Sequence, residues 1–256
     1  LSFALENCPV PVLLVGSQRS SDRGSSDAGM NLICAAEFIA KTNFTGIGVC
    51  MHNSTNDNNC AILPGTKTRK MHTSRRDAFK AINDMPIALI DYKTKKINFL
   101  KTQKKQTGEF KLKSKIEHKV GLVKMHPGID PKLFDFYKKE NYKGLVIEGT
   151  GLGQTPLGEK EIFIKKIKSL IDSDCVVCMT SQCINGRVHQ HVYSTAIELN
   201  KIGVIYCEDM LSETAFVKLS WLLGNYSKKQ AETLLAKNLV GEISEFSRTD
   251  IKINFN

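Results

Sequence analysis

The apolar positions of this chain fall into short continuous runs separated by amphipathic stretches. Residues 10–15 are apolar without alternation and stop at Gly16, the pattern of a strand buried on both faces of a parallel sheet. A polar run follows over 17–27, where Ser25, Ser26 and Asp27 supply N-cap chemistry for a helix predicted over 28–41. Residues 45–52 predict a second strand, 53–59 a turn rich in Asn and Asp, and 60–63 a strand returning as a hairpin. Pro64 and Gly65 then break the chain. A polar stretch over 66–79 enters a helix predicted over 74–83, and 85–103 alternates in part, as strands do.

Apolar content drops over 102–117, which reads as an inter-domain linker with exposed hairpin edges. Beyond it, strands are predicted over 120–125, 145–147, 175–180 and 202–207. Helices are predicted over 132–140, 160–173, 212–223 and 228–238. Repeated alternation of this kind argues a parallel sheet with helices on both faces. The fold class is therefore α/β: two domains, residues 1–101 and 118–256, each with a parallel sheet flanked by helices. Residues 241–256 form a polar tail with a few apolar anchors. Residues 1–7 read as the end of an amphipathic helix, so the chain reads as entering its first domain part-way.

At 256 residues and 41% hydrophobic, the chain has material for two cores, and no apolar run reaches the length of a membrane span. Lys and Arg outnumber Asp and Glu by 36 to 26, an excess that favours an anionic partner such as RNA. Lysines crowd the segment from Lys93 to Lys119. They fit either RNA contact or the charged edge strands by which sheets avoid aggregation. The eight cysteines form no dense framework. Cys175 and Cys178 make a C-x-x-C inside an apolar strand, with no second pair at ligand spacing, so they read as reduced core thiols and no metal site is expected.

Chemistry concentrates in residues 66–79, which hold five cations (Lys67, Arg69, Lys70, Arg75 and Arg76), His72 and several hydroxyls. A loop so loaded is a natural place for catalytic groups. The polar run 17–27 sits at the carboxyl end of a predicted parallel strand, where ligands bind in open α/β sheets. Glu148-Gly-Thr-Gly-Leu-Gly153 lacks the G-x-G-x-x-G spacing of a dinucleotide loop, although its glycines allow close backbone approach to a ligand.

Several segments carry a resemblance. Val15-Gly-Ser-Gln-Arg-Ser-Ser-Asp-Arg-Gly-Ser-Ser-Asp27 resembles a loop of the asparaginase/glutaminase superfamily. Lys70-Met-His-Thr-Ser-Arg-Arg-Asp-Ala-Phe79, Lys124-Met-His-Pro-Gly128, Glu148-Gly-Thr-Gly-Leu-Gly153 and Met179-Thr-Ser-Gln-Cys-Ile-Asn-Gly-Arg-Val188 resemble the D subunits of archaeal glutamyl-tRNA(Gln) amidotransferases. Val192-Tyr-Ser-Thr195, Cys207-Glu-Asp-Met-Leu-Ser-Glu-Thr-Ala215 and Gly241-Glu-Ile-Ser-Glu245 extend the likeness over essentially the whole chain.

The resemblance implies a glutaminase subunit that frees ammonia. A partner E subunit uses ATP and Mg to convert Glu-tRNA(Gln) to Gln-tRNA(Gln). It also implies a cytoplasmic homodimer within a heterotetramer, glutamine or asparagine as amide donor, no membrane, and no cofactor held by this chain. The family's catalytic set is two threonines, an aspartate and a lysine, because a hydroxyl needs an activating neighbour to attack an amide. Lys70 matches the family lysine. Gln154 stands where related asparaginases place an amide that meets a neighbouring protomer's substrate. Asp77, Arg75 and Arg76 read as an ion network at the start of a helix.

One departure follows. The family's Thr-Gly-Gly-Thr-like and Gly-Thr-Asp-Thr-like loops are absent, and the one Thr-Asp pair is Thr249-Asp250, in the tail. The chain therefore reads as N-terminally incomplete, carrying the relay lysine without the nucleophile. Two other readings of the same residues are a free L-asparaginase and a non-catalytic docking fragment.

Overall fold

The computed structural model describes residues 1–102 and 108–247, without the Lys160 side chain. Residues 103–107 of the expected linker, with Lys104 and Lys105, and residues 248–256 of the expected tail, with Thr249-Asp250, lie outside the described residues. The chain divides into two compact units, with Leu1–Lys113 in the first and Ser114–Ser247 in the second.

The first unit contains β1 (Leu5–Glu6), β2 (Pro11–Val15), α1 (Ala28–Lys41), β3 (Gly46–His52) and β4 (Asn59–Pro64). It continues with β5 (Thr68–Lys70), β6 (Phe79–Ala81), β7 (Ala88–Asp91), β8 (Ile97–Phe99) and β9 (Lys111–Leu112). Five strands form one sheet in the order β2-β3-β4-β7-β8. Only β2 and β3 are parallel, joined through α1, and the remaining pairs are antiparallel. The reason is local: the Asn/Asp-rich turn after β3 reverses the chain within a few residues, leaving no length for a helical crossover. The core lies between α1 and the sheet, where Met30, Cys34, Ala35 and Phe38 meet Cys50, Cys60, Ile62, Ala88 and Ile90. The α1 face carrying Met30, Cys34 and Phe38 follows the i, i+4, i+8 spacing of an amphipathic helix.

Two expectations fail here. Residues 74–83 form no helix. β5 and β6 pair antiparallel, with Lys70 opposite Phe79 and Thr68 opposite Ala81, and 71–78 is the loop between them. Nor do residues 1–7 form the end of a helix. Only a turn remains, with the Leu5 amide on the Leu1 carbonyl, before β1 pairs with β9 more than a hundred residues downstream. In both places strand pairing, within a hairpin for β5–β6 and across a long separation for β1–β9, overrides local helix propensity.

The second unit follows the expected alternation closely. It runs β10 (Val120–Lys124), α2 (Leu133–Lys139), β11 (Gly144–Gly149), α3 (Ile162–Asp172), β12 (Val176–Ser181), α4 (Ser194–Lys201), β13 (Ile205–Tyr206), α5 (Ser212–Asn225) and α6 (Lys228–Leu235). The sheet order is β10-β11-β12-β13 and every pair is parallel. β11 is buried along its whole length, as the apolar run over 144–147 requires, and its Glu148 is buried with it. Its core gathers Phe134 from α2, Phe163 and Ile167 from α3, and Leu199 from α4 against Leu145, Ile147, Val177 and Met179. Cys175 and Cys178 are buried free thiols in this interior. α5 packs close to the sheet because Gly144 carries no side chain; a Cβ there would come within 2.8 Å of Leu219.

Candidate active site

In the first unit, polar side chains gather at the carboxyl ends of β2 and β3, the edge of the parallel pair. Residues 16–27 leave β2 and return at the start of α1. The Asp27 carboxylate, fully buried, makes no helix cap. It reaches back across the loop instead and accepts the amides of Gln18 and Arg19, each at 3.0 Å. Ser26 Oγ takes the first helix amide, that of Ala28, at 3.2 Å. Asn31, one turn further and also buried, donates to the Gly16 carbonyl at 2.9 Å and to Asp27 at 3.0 Å. Two side chains of α1 thus hold both ends of the loop.

Asn31 also meets β3. His52, the last residue of that strand, is fully buried, with Nδ1 2.6 Å from Asn31 Oδ1. Its Nε2 lies 3.4 Å from Asp57 Oδ1 in the turn after β3. Burial pushes the His52 pKa below its usual 6.5, and the opposing pull of Asp57 and Asp27 does not restore it.

The same turn clamps the hairpin that carries Lys70. Arg76 donates to Asp57 at 2.5 Å and also to the Thr55 carbonyl. Lys80 donates to the Asn53 carbonyl at 2.7 Å. Within the hairpin loop, Asp77 accepts two bonds from Arg75, at 2.9 and 2.8 Å, and pairs with Lys80 at 3.3 Å. Burial alone would raise the Asp77 pKa, but these cations outweigh it and hold the carboxyl below its usual range. His72 Nδ1 accepts the amides of Ser74 and Arg75, each at 3.1 Å. Of the ion network expected of Asp77 and the two arginines at a helix start, Arg75 pairs with Asp77 inside a loop, whereas Arg76 pairs with Asp57 instead.

Lys70 ends β5 with its side chain exposed, 5.9 Å from the Phe79 ring. Lys67 turns the other way and is fully buried. The arrangement presents the Lys70 amine, exposed, on a short, multiply anchored hairpin. Its loop is tied through Arg76 and Asp57 to the 53–58 turn, beside the loop at the end of β2.

Gln154 lies in the second unit. Residues 150–154 fold into a tight turn at the carboxyl end of β11, with Thr150 bridged to Gln154. Neighbours brace it on several sides. Ser181 donates to the Gly151 carbonyl at 2.6 Å, His189 to that of Leu152 at 2.9 Å, and Tyr206 to that of Gly153 at 3.1 Å. Gln182 donates to the carbonyls of Met125 and Glu148. The Met179-Thr-Ser-Gln-Cys segment thus supports the turn. Gln154 Nε2 and Thr155 Oγ1 are buried without a hydrogen-bond partner among the described residues.

Asn31, His52 and Asp57 were not legible as site residues. Asn31 alone left a trace, a polar residue on the apolar face of α1 between Met30 and Cys34.

Residues 1–105 match the asparaginase N-terminal family, and residues 119–234 match the glutaminase/asparaginase C-terminal domain. The chain belongs to the asparaginase/glutaminase superfamily. Within it, the chain is 51% identical over 251 residues to the D subunit of glutamyl-tRNA(Gln) amidotransferase from Pyrococcus furiosus, covering 97% of this chain and 56% of that protein. The corresponding D subunit from Methanococcus maripaludis is 49% identical over 249 residues, 96% of this chain and 58% of that protein. The chain thus spans little more than half the length of these curated relatives. The thermostable L-asparaginase from Thermococcus kodakarensis superposes with a TM-score of 0.85 at 27% identity, over 95% of this chain and 70% of that one. L-asparaginase I from Vibrio cholerae gives 0.83 at 26%, over 95% and 71%. Asparaginase-like architecture, α/β with two units, is therefore the fold. Among the described residues no helix is long and apolar enough to cross a membrane.

Proposed function

We propose that this chain contributes the ammonia-releasing site of a tRNA-dependent amidotransferase, with glutamine or asparagine as amide donor. The observation that carries the reading is the placement of Lys70, exposed on an anchored hairpin. The near half identity to amidotransferase D subunits selects this reading among superfamily members. A partner E subunit would bring Glu-tRNA(Gln), ATP and Mg, and the assembly would be cytoplasmic, with two copies of this chain.

The chemistry requires a hydroxyl nucleophile, and the threonine–aspartate part of the relay is proposed to come from outside these residues. The edge of the first sheet supports this. β2 is a terminal strand, yet Leu14 and Val15 are exposed apolar residues at its carboxyl end. Parallel strands are ordinarily covered. In the proposed step the hydroxyl oxygen bonds to the carboxamide carbon and its proton passes through the relay to the leaving nitrogen. The C–N bond breaks, ammonia departs, and water hydrolyses the acyl-enzyme. Lys70 exchanges the relayed proton. Gln154 is proposed to bind substrate.

The fold likeness to two L-asparaginases favours a second reading, a free asparaginase. Ammonia release from each amide, measured on the complete gene product with and without an E subunit and charged tRNA, separates the two. Turnover that rises with partner and tRNA supports the amidotransferase; partner-independent asparagine hydrolysis overturns it. Loss of ammonia release in Lys70→Ala, with folding intact, supports the site under either reading.

A further inference from the structure

The hydrogen-bond chain through His52 fixes more than a packing contact. Among the described residues Asn31 Nδ2 faces only acceptors: the Gly16 carbonyl, the Asp27 carboxylate and, at 3.8 Å, the Met51 sulfur. Its amide orientation is therefore determined, and Oδ1 is the atom that meets His52. Oδ1 can only accept, so His52 Nδ1 carries a hydrogen and donates it across 2.6 Å. In the neutral ring Nε2 is then a bare acceptor facing Asp57 Oδ1, also an acceptor, at 3.4 Å. Asp57 meanwhile receives Arg76 at 2.5 Å.

We propose that His52 is a positioning residue for the site: locked in its Nδ1–H form by Asn31, it joins the loop over 16–27 to the 53–58 turn that clamps the Lys70 hairpin. This rests on the amide-hydrolysing reading above. The neutral ring leaves Asp57 to Arg76 and holds the Asn31–Asp27 pair that shapes the loop. A proton on Nε2 turns the 3.4 Å contact into an ion pair and sets His52 against Arg76 for one carboxylate. The groups that face or act on the ring are Asn31 and Asp27 from α1, Asp57 from the turn, Arg76 from the hairpin loop, and the Cys60 thiol opposite it in β4. Burial opposes the added charge, which keeps the ring in its working form near neutrality.

Two substitutions separate the two nitrogens. The amide of His52→Asn stands where Nδ1 stands and keeps the donor to Asn31. The amide of His52→Gln stands where Nε2 stands and leaves Asn31 without that donor. In the complete gene product, KM for the amide donor is expected to stay within about twofold in His52→Asn and to rise about tenfold or more in His52→Gln. The fall of kcat on the acid side is expected in the wild type and absent from His52→Asn. Equal KM shifts in the two variants, or an unchanged acid limb in His52→Asn, overturn the proposal.

Nuclear magnetic resonance tests it independently of activity. At neutral pH the His52 ring is expected as the Nδ1–H tautomer, and the Gln18 and Arg19 amide resonances are expected to move in His52→Gln but not in His52→Asn. An Nε2–H ring overturns the proposal even if neither variant folds. Ammonia release that persists in Lys70→Ala removes the reading of the hairpin while leaving the resonance result to judge His52 by itself.

Discussion

Lys70 and Phe79 stand opposite each other across the β5–β6 hairpin, and the Lys70 ammonium lies 5.9 Å from the centre of the Phe79 ring. The pairing sets where the one exposed amine of β5 points. An exposed cation–π contact contributes about 0.5–1 kcal/mol. Phe79→Leu is therefore expected to lower ammonia release only about two- to fivefold. Lys70→Ala is expected to lower it by a factor of about 100 or more, as loss of a proton-transfer group does. Steady-state assays on the two variants, checked for folding by circular dichroism, measure the difference. Equal losses would show that orientation, not the amine, is what the hairpin supplies.

Asp77 links the hairpin loop to acid stability. Arg75 and Lys80 hold its carboxyl below the usual 3.8 against the effect of burial. A depressed carboxyl stabilises the fold fully above its unfolded pKa and loses that contribution as pH falls through the folded value. Asp77→Asn is expected to cost about 1–3 kcal/mol at neutral pH. The gap between mutant and wild type should close as pH falls below the usual carboxylate range. Thermal melts from neutral pH down through that range test it; a gap that stays constant with pH would place the effect of Asp77 in packing.

The second unit contains a buried ion pair. Lys218 Nζ lies 2.6 Å from Glu242 Oε1, and both side chains are fully buried. The lysine also donates to the carbonyls of Leu235 and Lys237, while Glu242 accepts the amides of Leu239 and Val240. The pair therefore fastens the chain that follows α6. Burial lowers the Lys218 pKa, and Glu242 only partly opposes it. Removing either partner strands a charge, so Lys218→Met and Glu242→Gln are each expected to destabilise by about 3–5 kcal/mol. The double substitution should cost less than the sum. Urea denaturation of the three variants reads the coupling directly, and strict additivity would mean that the pair does not act as a unit.

Gly149 closes the turn that carries Gln154. A Cβ there would come within 2.9 Å of both the amide nitrogen and the carbonyl oxygen of Gln154. These are backbone atoms and cannot swing aside. Gly149→Ala is expected to displace the turn, costing about 1–3 kcal/mol in stability and raising KM where Gln154 binds substrate. Kinetics beside a melting curve check it: a stability loss with unchanged KM would remove Gln154 from substrate binding.

The alternation of the second unit was readable because a strand covered on both faces must be apolar throughout. β11 and β12 come close to that demand, with apolar runs over 144–147 and 176–179, and helices such as α3 and α5 show their period beside them. The assignment of Lys70 rests on its motif, which is local. α4 escaped notice, since Ser194–Lys201 is short and buries only Ala196 and Leu199.

By itself, then, the amino-acid sequence determined the parallel second sheet and the α1 crossover, both set by contiguous residues. Tertiary structure alone decided that 71–78 is a loop, that β1 pairs with β9, and that Asn31, His52, Asp57 and Arg76 form one chain of contacts. β1 and β9 lie more than a hundred residues apart, the contact chain runs from Asn31 to Arg76, and even the 71–78 hairpin turns on pairing rather than propensity; a local pattern records propensity and burial but not which partner a strand or buried polar group will find.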